Sequence, residues 1–444
     1  MTPDHANSRL KLHWLERLRQ PHILLMLTAA AMPVSFVAWS TLINNFTIEQ
    51  AGFTGREIGI LQSLREVPGF LSFLVVYLLF VIAEQRLALL ALALLGFGVA
   101  ITGYFPTVLG LYITTVISSI GFHYYETCNQ SLAMQWLDKK TAPMMLGRIY
   151  GVASAAQVLT LTAIFTAVLL ISPQIAGVSS GDDGFDLPAM LEGLGQAGSG
   201  WPISADAYAV FYLVGGLVTM LAAVAGLTLF PRFTAIAKQK RSIILRRRYW
   251  LYYALIFMSG ARRQIFVVFA GFLMVERFGF SVGQIAMLFL VNALMNIWLA
   301  PLVGRLIQQL GERRALIVEY IGLVGVFTAY AFAETAAVGA VLYLLDHAFF
   351  AMAIAIKTYF QKIADSGDFA ATSAVSFTIN HIVAVVLPAV FGLLWLVSPA
   401  AVFLCGAGLA AVSLLLALMV PHDPAPGNEA MLPGPFFAGL RSSG

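Results

Sequence analysis

Twelve apolar stretches of about twenty residues or more follow one another from Ile23 to Val420, each long enough to cross the hydrocarbon core of a bilayer as a helix. In that solvent a backbone N–H or C=O cannot go unpaired, so helices packed on helices are almost the only fold open to such a chain. Hydrophobic residues make up 59% of the sequence and charged ones 11%, which sets aside a single large soluble core and any nucleic-acid-binding surface. Cys128 and Cys405 both fall inside apolar runs, so neither a disulfide framework nor a zinc site is expected, and no cofactor is implied. The run from Ile23 exceeds a signal-peptide core and lacks a small-residue cleavage site, so it is expected to remain as an anchor.

The first six spans are expected at Ile23 to Phe46, Ile58 to Ile82, Leu87 to Phe105, Thr107 to Leu137, Leu146 to Ile171 and Ala207 to Phe230. The second six follow at Trp250 to Val275, Val282 to Leu306, Ala315 to Ala333, Ala336 to Phe360, Ala370 to Leu396 and Pro399 to Val420. Of the 26 lysines and arginines, only Arg56 and Arg277 lie in loops on the side opposite the amino terminus, and Arg65, Arg262 and Arg263 lie inside spans. All the others fall on the amino-terminal side, which the positive-inside rule assigns to the cytoplasm. The expected organisation is a tail (1–22), a six-helix bundle (23–230), a basic cytoplasmic linker (231–249), a second bundle (250–420) and a cytoplasmic carboxyl tail (421–444). The linker holds Lys238, Lys240 and Arg241 and the run Arg246, Arg247 and Arg248; the outer loop from Ser172 to Asp206 is rich in glycine and carries Asp182, Asp183 and Asp186. Both read best as connections.

An ionisable group deep in a membrane span is costly and so marks a candidate functional site. Gln62, Arg65 and Glu66 stand at i, i+3 and i+4, on one face of span two, just before Pro68 and Gly69. His123 and Glu126 share a face of span four, flanked by Tyr124 and Tyr125. Arg262 and Arg263 are adjacent in span seven and diverge by about 100°, so one is expected to face a cavity and the other a neighbouring helix. Asp346 and His347 lie in span ten, with Lys357 on the same face as Asp346, and Asn380 and His381 lie midway along span eleven. The halves repeat weakly, since His347 occupies in span ten the place of His123 in span four, a pattern of transporters built around a midplane site.

Between spans eight and nine, Gly304, Gly311, Arg313 and Arg314 in GRLIQQLGERR match the glycine-and-arginine loop motif of the major facilitator superfamily. With twelve spans and a basic central loop, the chain resembles that superfamily of secondary transporters. The resemblance implies an all-α polytopic fold of two six-helix bundles, alternating access, a small-molecule substrate, and spans three, six, nine and twelve as outer supports. Spans three, six and twelve carry no charged residue or histidine, and span nine carries only Glu319, so the deep charges respect that division. In the first half the matching loop is shortened to IAEQR, with Glu84 and Arg86 its only charges, and span five lacks the glycine and proline run of drug:proton antiporters.

Arginine stays charged and grips carboxylate or phosphate with two prongs, while histidine and a desolvated carboxyl can exchange protons near neutrality. The expected substrate is therefore a small organic anion or zwitterion, with protons a possible coupling partner. Arg65, Arg262, Arg263, Tyr124, Tyr125, Asn380 and His381 are the candidates for substrate binding; Glu66, His123, Glu126, Asp346 and His347 are those for proton coupling or gating. Three arginines against three acids also fits ion pairs that only hold helices together. Transition-metal transport through the histidines and acids, and a non-transporting assembly factor on the same scaffold, are the alternatives. No catalytic motif appears, a monomer suffices, and the inner membrane of the cell is the expected location.

Overall fold

The computed structural model describes residues 20–137, 142–171, 203–233, 246–365 and 369–431. The amino-terminal tail, Lys238, Lys240, Arg241, the outer loop with Asp182, Asp183 and Asp186, and the end of the carboxyl tail lie outside the described residues. Every expected span is helical. Pro21–Ala51 is span one, Glu84–Thr102 span three, Val108–Trp136 span four, Ala142–Ile171 span five and Ala205–Leu229 span six. Phe369–Val397 and Pro399–Leu418 are spans eleven and twelve. Among the described residues, ten helices are long and apolar enough to cross a membrane.

The remaining spans depart from single rods. Span two is Gly55–Phe70, a 3-10 turn at Leu71–Leu74 and a short helix Val75–Leu78. Pro68 lacks the amide proton that an unbroken helix needs, and the α-helix stops two residues later. Span seven is Trp250–Gln264, a π-helical stretch Ile265–Ala270 and Gly271–Glu276. Span ten breaks at Ala351–Ala353 between Ala336–Phe350 and Ile354–Ile363. Spans eight and nine, within Val282–Ala331, are two helices joined at Gly311, where φ is 76° and ψ is 162°. Those angles are open essentially to glycine alone, so one residue replaces the loop expected between the spans.

The helices pack into two compact units. Among the described residues, the first holds span one through Phe46, Leu71–Ile164 and span six. Small residues bring its helices together, as membrane interfaces require. A Cβ added to Gly96 would lie 2.6 Å from the Gly216 carbonyl oxygen, and one added to Gly121 would lie 2.2 Å from the backbone nitrogen of Leu95. Ser35 donates to Thr219 at 2.8 Å, and Thr219 donates to the Ala31 carbonyl at 2.8 Å, bonds of a kind worth about 0.6 kcal/mol each in a membrane. The shortened loop is stitched as well: Glu84 accepts from Gln135 at 2.9 Å, and Gln85 bonds both the Pro231 carbonyl and the Phe233 amide.

The second unit takes Thr47–Phe70, the end of span five from Phe165, and all described residues beyond Arg246. Membership by packing therefore differs from the six-and-six order of the sequence, because the first half of span two lies along span eleven. A Cβ on Gly59 would sit 2.3 Å from the Pro388 carbonyl oxygen, and one on Gly392 would sit 2.4 Å from that of Gly55. Pro388 interrupts the ladder of span eleven, and the Ala389 amide donates to Ser63 at 3.0 Å. Beyond span twelve the chain folds back onto the same unit. The Met431 amide donates to the Met419 carbonyl at 2.8 Å, and Tyr359 donates to the Glu429 carbonyl.

Candidate functional site

Three groups of polar side chains are assembled inside the second unit. In the first, Arg65 and Glu66 form an ion pair of 2.7 Å, with both side chains partly exposed, 17% and 13%. The other oxygen of Glu66 lies 3.9 Å from Nε2 of His381. His381 has Nδ1 at 2.9 Å from the Phe377 carbonyl, which fixes a proton on that nitrogen and turns Nε2 toward the acid. Asn380 lies across from Gly260, where a Cβ would meet its Oδ1 at 2.6 Å, so spans seven and eleven approach closely there.

The second group surrounds Arg262. Its guanidinium stacks on the Tyr320 ring with 4.3 Å to the centroid, its Nε donates to the Met258 carbonyl at 3.3 Å, and Nη2 stands 3.6 Å from Glu319. Both side chains of that ion pair are buried, at 1% and 0% exposure. Asp346, also buried, interacts electrostatically with both. Arg263, one position on, is exposed and lies within electrostatic reach of His347. His347 has Nδ1 at 3.1 Å from the Tyr343 carbonyl and its ring edge-on to Phe266 at 4.4 Å. The 100° step between adjacent helical residues thus separates the two arginines: Arg262 is buried against Glu319 and Tyr320 of span nine, and Arg263 is exposed.

The third group lies at the end of the unit that holds the loop motif. Gly311 makes the bend, Arg313 stands 2.9 Å from His422 Nε2, Glu312 pairs with Lys362 at 2.8 Å, and Arg314 is exposed. Gly304 has open space where a Cβ would go. Arg248 pairs with Asp365, whose amide donates to the Tyr249 hydroxyl at 3.1 Å.

In the first unit, span four carries the other candidates. His123 and Tyr125 are buried, while Tyr124 and Glu126 are half-buried. Phe122 packs edge-on to His123 and stacks on Phe36 of span one, and Gln130 donates to Glu126 at 3.4 Å. Sequence reasoning passed over Glu319 as a support-helix residue. Its signal was that it is the only charged residue within the expected bounds of spans three, six, nine and twelve, near one end of span nine.

The sequence profile of the Major Facilitator Superfamily matches residues 24–388. The chain belongs to the Major Facilitator Superfamily. Solved members of the superfamily fold confirm the architecture. The nucleoside transporter NupG superposes with a TM-score of 0.64 at 13% identity, over 90% of this chain and 98% of its own. A bacterial homologue of the human lysosomal transporter Spinster, inward-facing and occupied, gives 0.69 at 12% identity, over 93% and 98%. A bacterial homologue of the iron transporter ferroportin gives 0.63 at 13%, over 90% and 98%. At such identities the likeness concerns the fold. No curated protein matches by sequence. As a member of the Major Facilitator Superfamily the chain is an integral membrane transporter with two helical bundles.

Proposed function

We propose that this transporter moves a small organic anion or zwitterion across the inner membrane by alternating access, with both termini cytoplasmic. The observation that carries the reading is the split between the adjacent arginines of span seven. Arg262 is buried against Glu319, whereas the neighbouring Arg263 side chain is exposed beside a π-helical turn, a feature frequent at functional sites. A guanidinium placed so grips carboxylate or phosphate, and Arg263 is the anion clamp. Tyr124, Tyr125, Asn380 and Arg65 are assigned to the substrate's remaining surface. Glu66, His123, Glu126, His347 and His381 supply the groups that can exchange protons, and a monomer is sufficient. Arg65 pairs with Glu66 at 2.7 Å, so that carboxylate already has a positive charge beside it, which favours an anion over a metal ion.

The test begins with a thermal-shift screen of the detergent-purified protein against carboxylates, phosphate esters, amino acids and divalent metals, since a ligand that binds the folded form raises its apparent stability. The stabilising anion is then followed into proteoliposomes. Arg263→Gln is expected to abolish saturable uptake, and Arg263→Lys to weaken it, because a point charge lacks the planar fork. Unchanged saturable uptake in Arg263→Gln removes the clamp.

A further inference from the structure

The charges buried around span seven do not balance. Arg262 contributes one cation; Glu319 and Asp346 contribute two carboxyl groups, and all three side chains are buried. Among the described residues, the phenols Tyr320, Tyr330 and Tyr343 also face them, each in electrostatic contact with one of the acids. His347, next to Asp346 in the chain, is turned to the Tyr343 carbonyl and toward Arg263. Span twelve packs against spans seven and eight to nine and has no charged residue to offer. With both acids ionised the cluster would carry a buried negative charge without a counter-ion, a strongly unfavourable state. Two carboxyls beside one cation avoid it when one of them keeps a proton.

A second observation is independent of the charge count. Both Nη atoms of Arg262, both oxygens of Glu319, Oδ2 of Asp346 and the hydroxyls of Tyr320 and Tyr330 are buried without a hydrogen-bond partner among the described residues. Orphaned polar atoms are rare in folded proteins and call for an occupant. A concentration of donors and acceptors around three ionisable groups is what a proton and the water that delivers it require.

We propose that Arg262, Glu319 and Asp346 form a proton-holding site on spans seven, nine and ten, in which one carboxyl is protonated and the other pairs with Arg262. The proton comes from water on one side of the membrane and returns to water on the other. Its departure leaves a second carboxylate beside Arg262, so the cluster must reopen to solvent or take a new proton. As the coupling device of the transporter, this site rests on the transport reading above; as a protonation state, it does not.

Infrared spectroscopy of the purified protein at neutral pH tests it. The carboxylic C=O stretch is expected in the unaltered protein and is lost in both Glu319→Gln and Asp346→Asn, because the one remaining carboxyl then pairs with Arg262. Arg262→Gln leaves two acids without a cation, and the band is expected to grow; should that variant fail to fold, loss of the band in either carboxyl variant alone still decides the test. A band that is the same in all variants overturns the proposal. In proteoliposomes loaded with the stabilising anion, the ratio of uptake with an imposed pH gradient to uptake without one is expected to fall to one in Glu319→Gln. A ratio above one there removes the coupling role. Absence of any flux in the unaltered protein counts against transport, while the infrared band still decides the protonation.

Discussion

Arg262 and Arg263 are chemically identical neighbours, yet substitution is expected to separate them completely. Removing Arg262 strands two buried acids, and breaking a buried pair costs about 3–5 kcal/mol. Arg262→Met should therefore lower the thermal midpoint strongly in detergent. Arg263→Gln touches an exposed side chain and should shift stability by no more than about 0.5 kcal/mol while uptake disappears. Equal melting curves for the two variants would contradict the assignment of one to structure and the other to ligand. The divergence of the pair was legible in the sequence, because adjacent residues on a helix cannot share a face. Which of the two turns inward was not, since that depends on the helix that lies behind span seven. Glu319 illustrates the same limit: its isolation in span nine was visible, but its partner is set by packing between residues more than fifty positions apart. Conversely, Arg65 and Glu66 are sequence neighbours in the second unit, and their ion pair was among those anticipated by the matching of arginines with acids.

At the scale of elements, all twelve helices could be read from apolar runs, because a span in lipid must satisfy its own backbone. What the runs did not show is where helices bend. Pro68 and Gly69 foretold the break in span two, and the helix does end there. No proline or glycine marks the 3-10 turn at Ala351–Ala353, and hydrophobic periodicity carries no trace of it. The π stretch at Ile265–Ala270 was equally silent, since all six residues are apolar whichever helical register they adopt. Gly311 lies between these cases. The motif marked it as a place where helix ends approach; the structure joins two helices through this one residue, at angles that an L-residue side chain resists. Gly311→Ala is expected to cost about 1–3 kcal/mol through backbone strain alone, since no atom within 4 Å meets the added Cβ. Gly304→Ala, with equally open surroundings and no positive φ, should be close to neutral, and comparing the two melts isolates the backbone term. A neutral Gly311→Ala would mean that the hinge relaxes into ordinary helix.

For the molecule as a whole, the distribution of basic residues makes the sharpest statement. Long-range packing had no part in that inference: a short loop rich in lysine and arginine stays on the cytoplasmic side during insertion, whatever the helices do afterward. Arg56 lies in the first turn of Gly55–Phe70 and Arg277 follows Gly271–Glu276, both in the second unit, and the motif arginines Arg313 and Arg314 stand at the bend between spans eight and nine. The fold puts an odd number of crossings between Arg277 and Arg313, so the two must face opposite compartments. Single cysteines at 277 and 314 in a chain lacking Cys128 and Cys405 should therefore react with an impermeant thiol reagent from opposite sides: 277 from outside the intact cell, and 314 only in inverted vesicles. Cys405 is exposed and Cys128 buried, so the background must be removed before the result is read. Labelling of both sites from one side would break the twelve-span arrangement itself. Labelling from opposite sides with the compartments exchanged would preserve the fold and overturn the cytoplasmic placement of both termini.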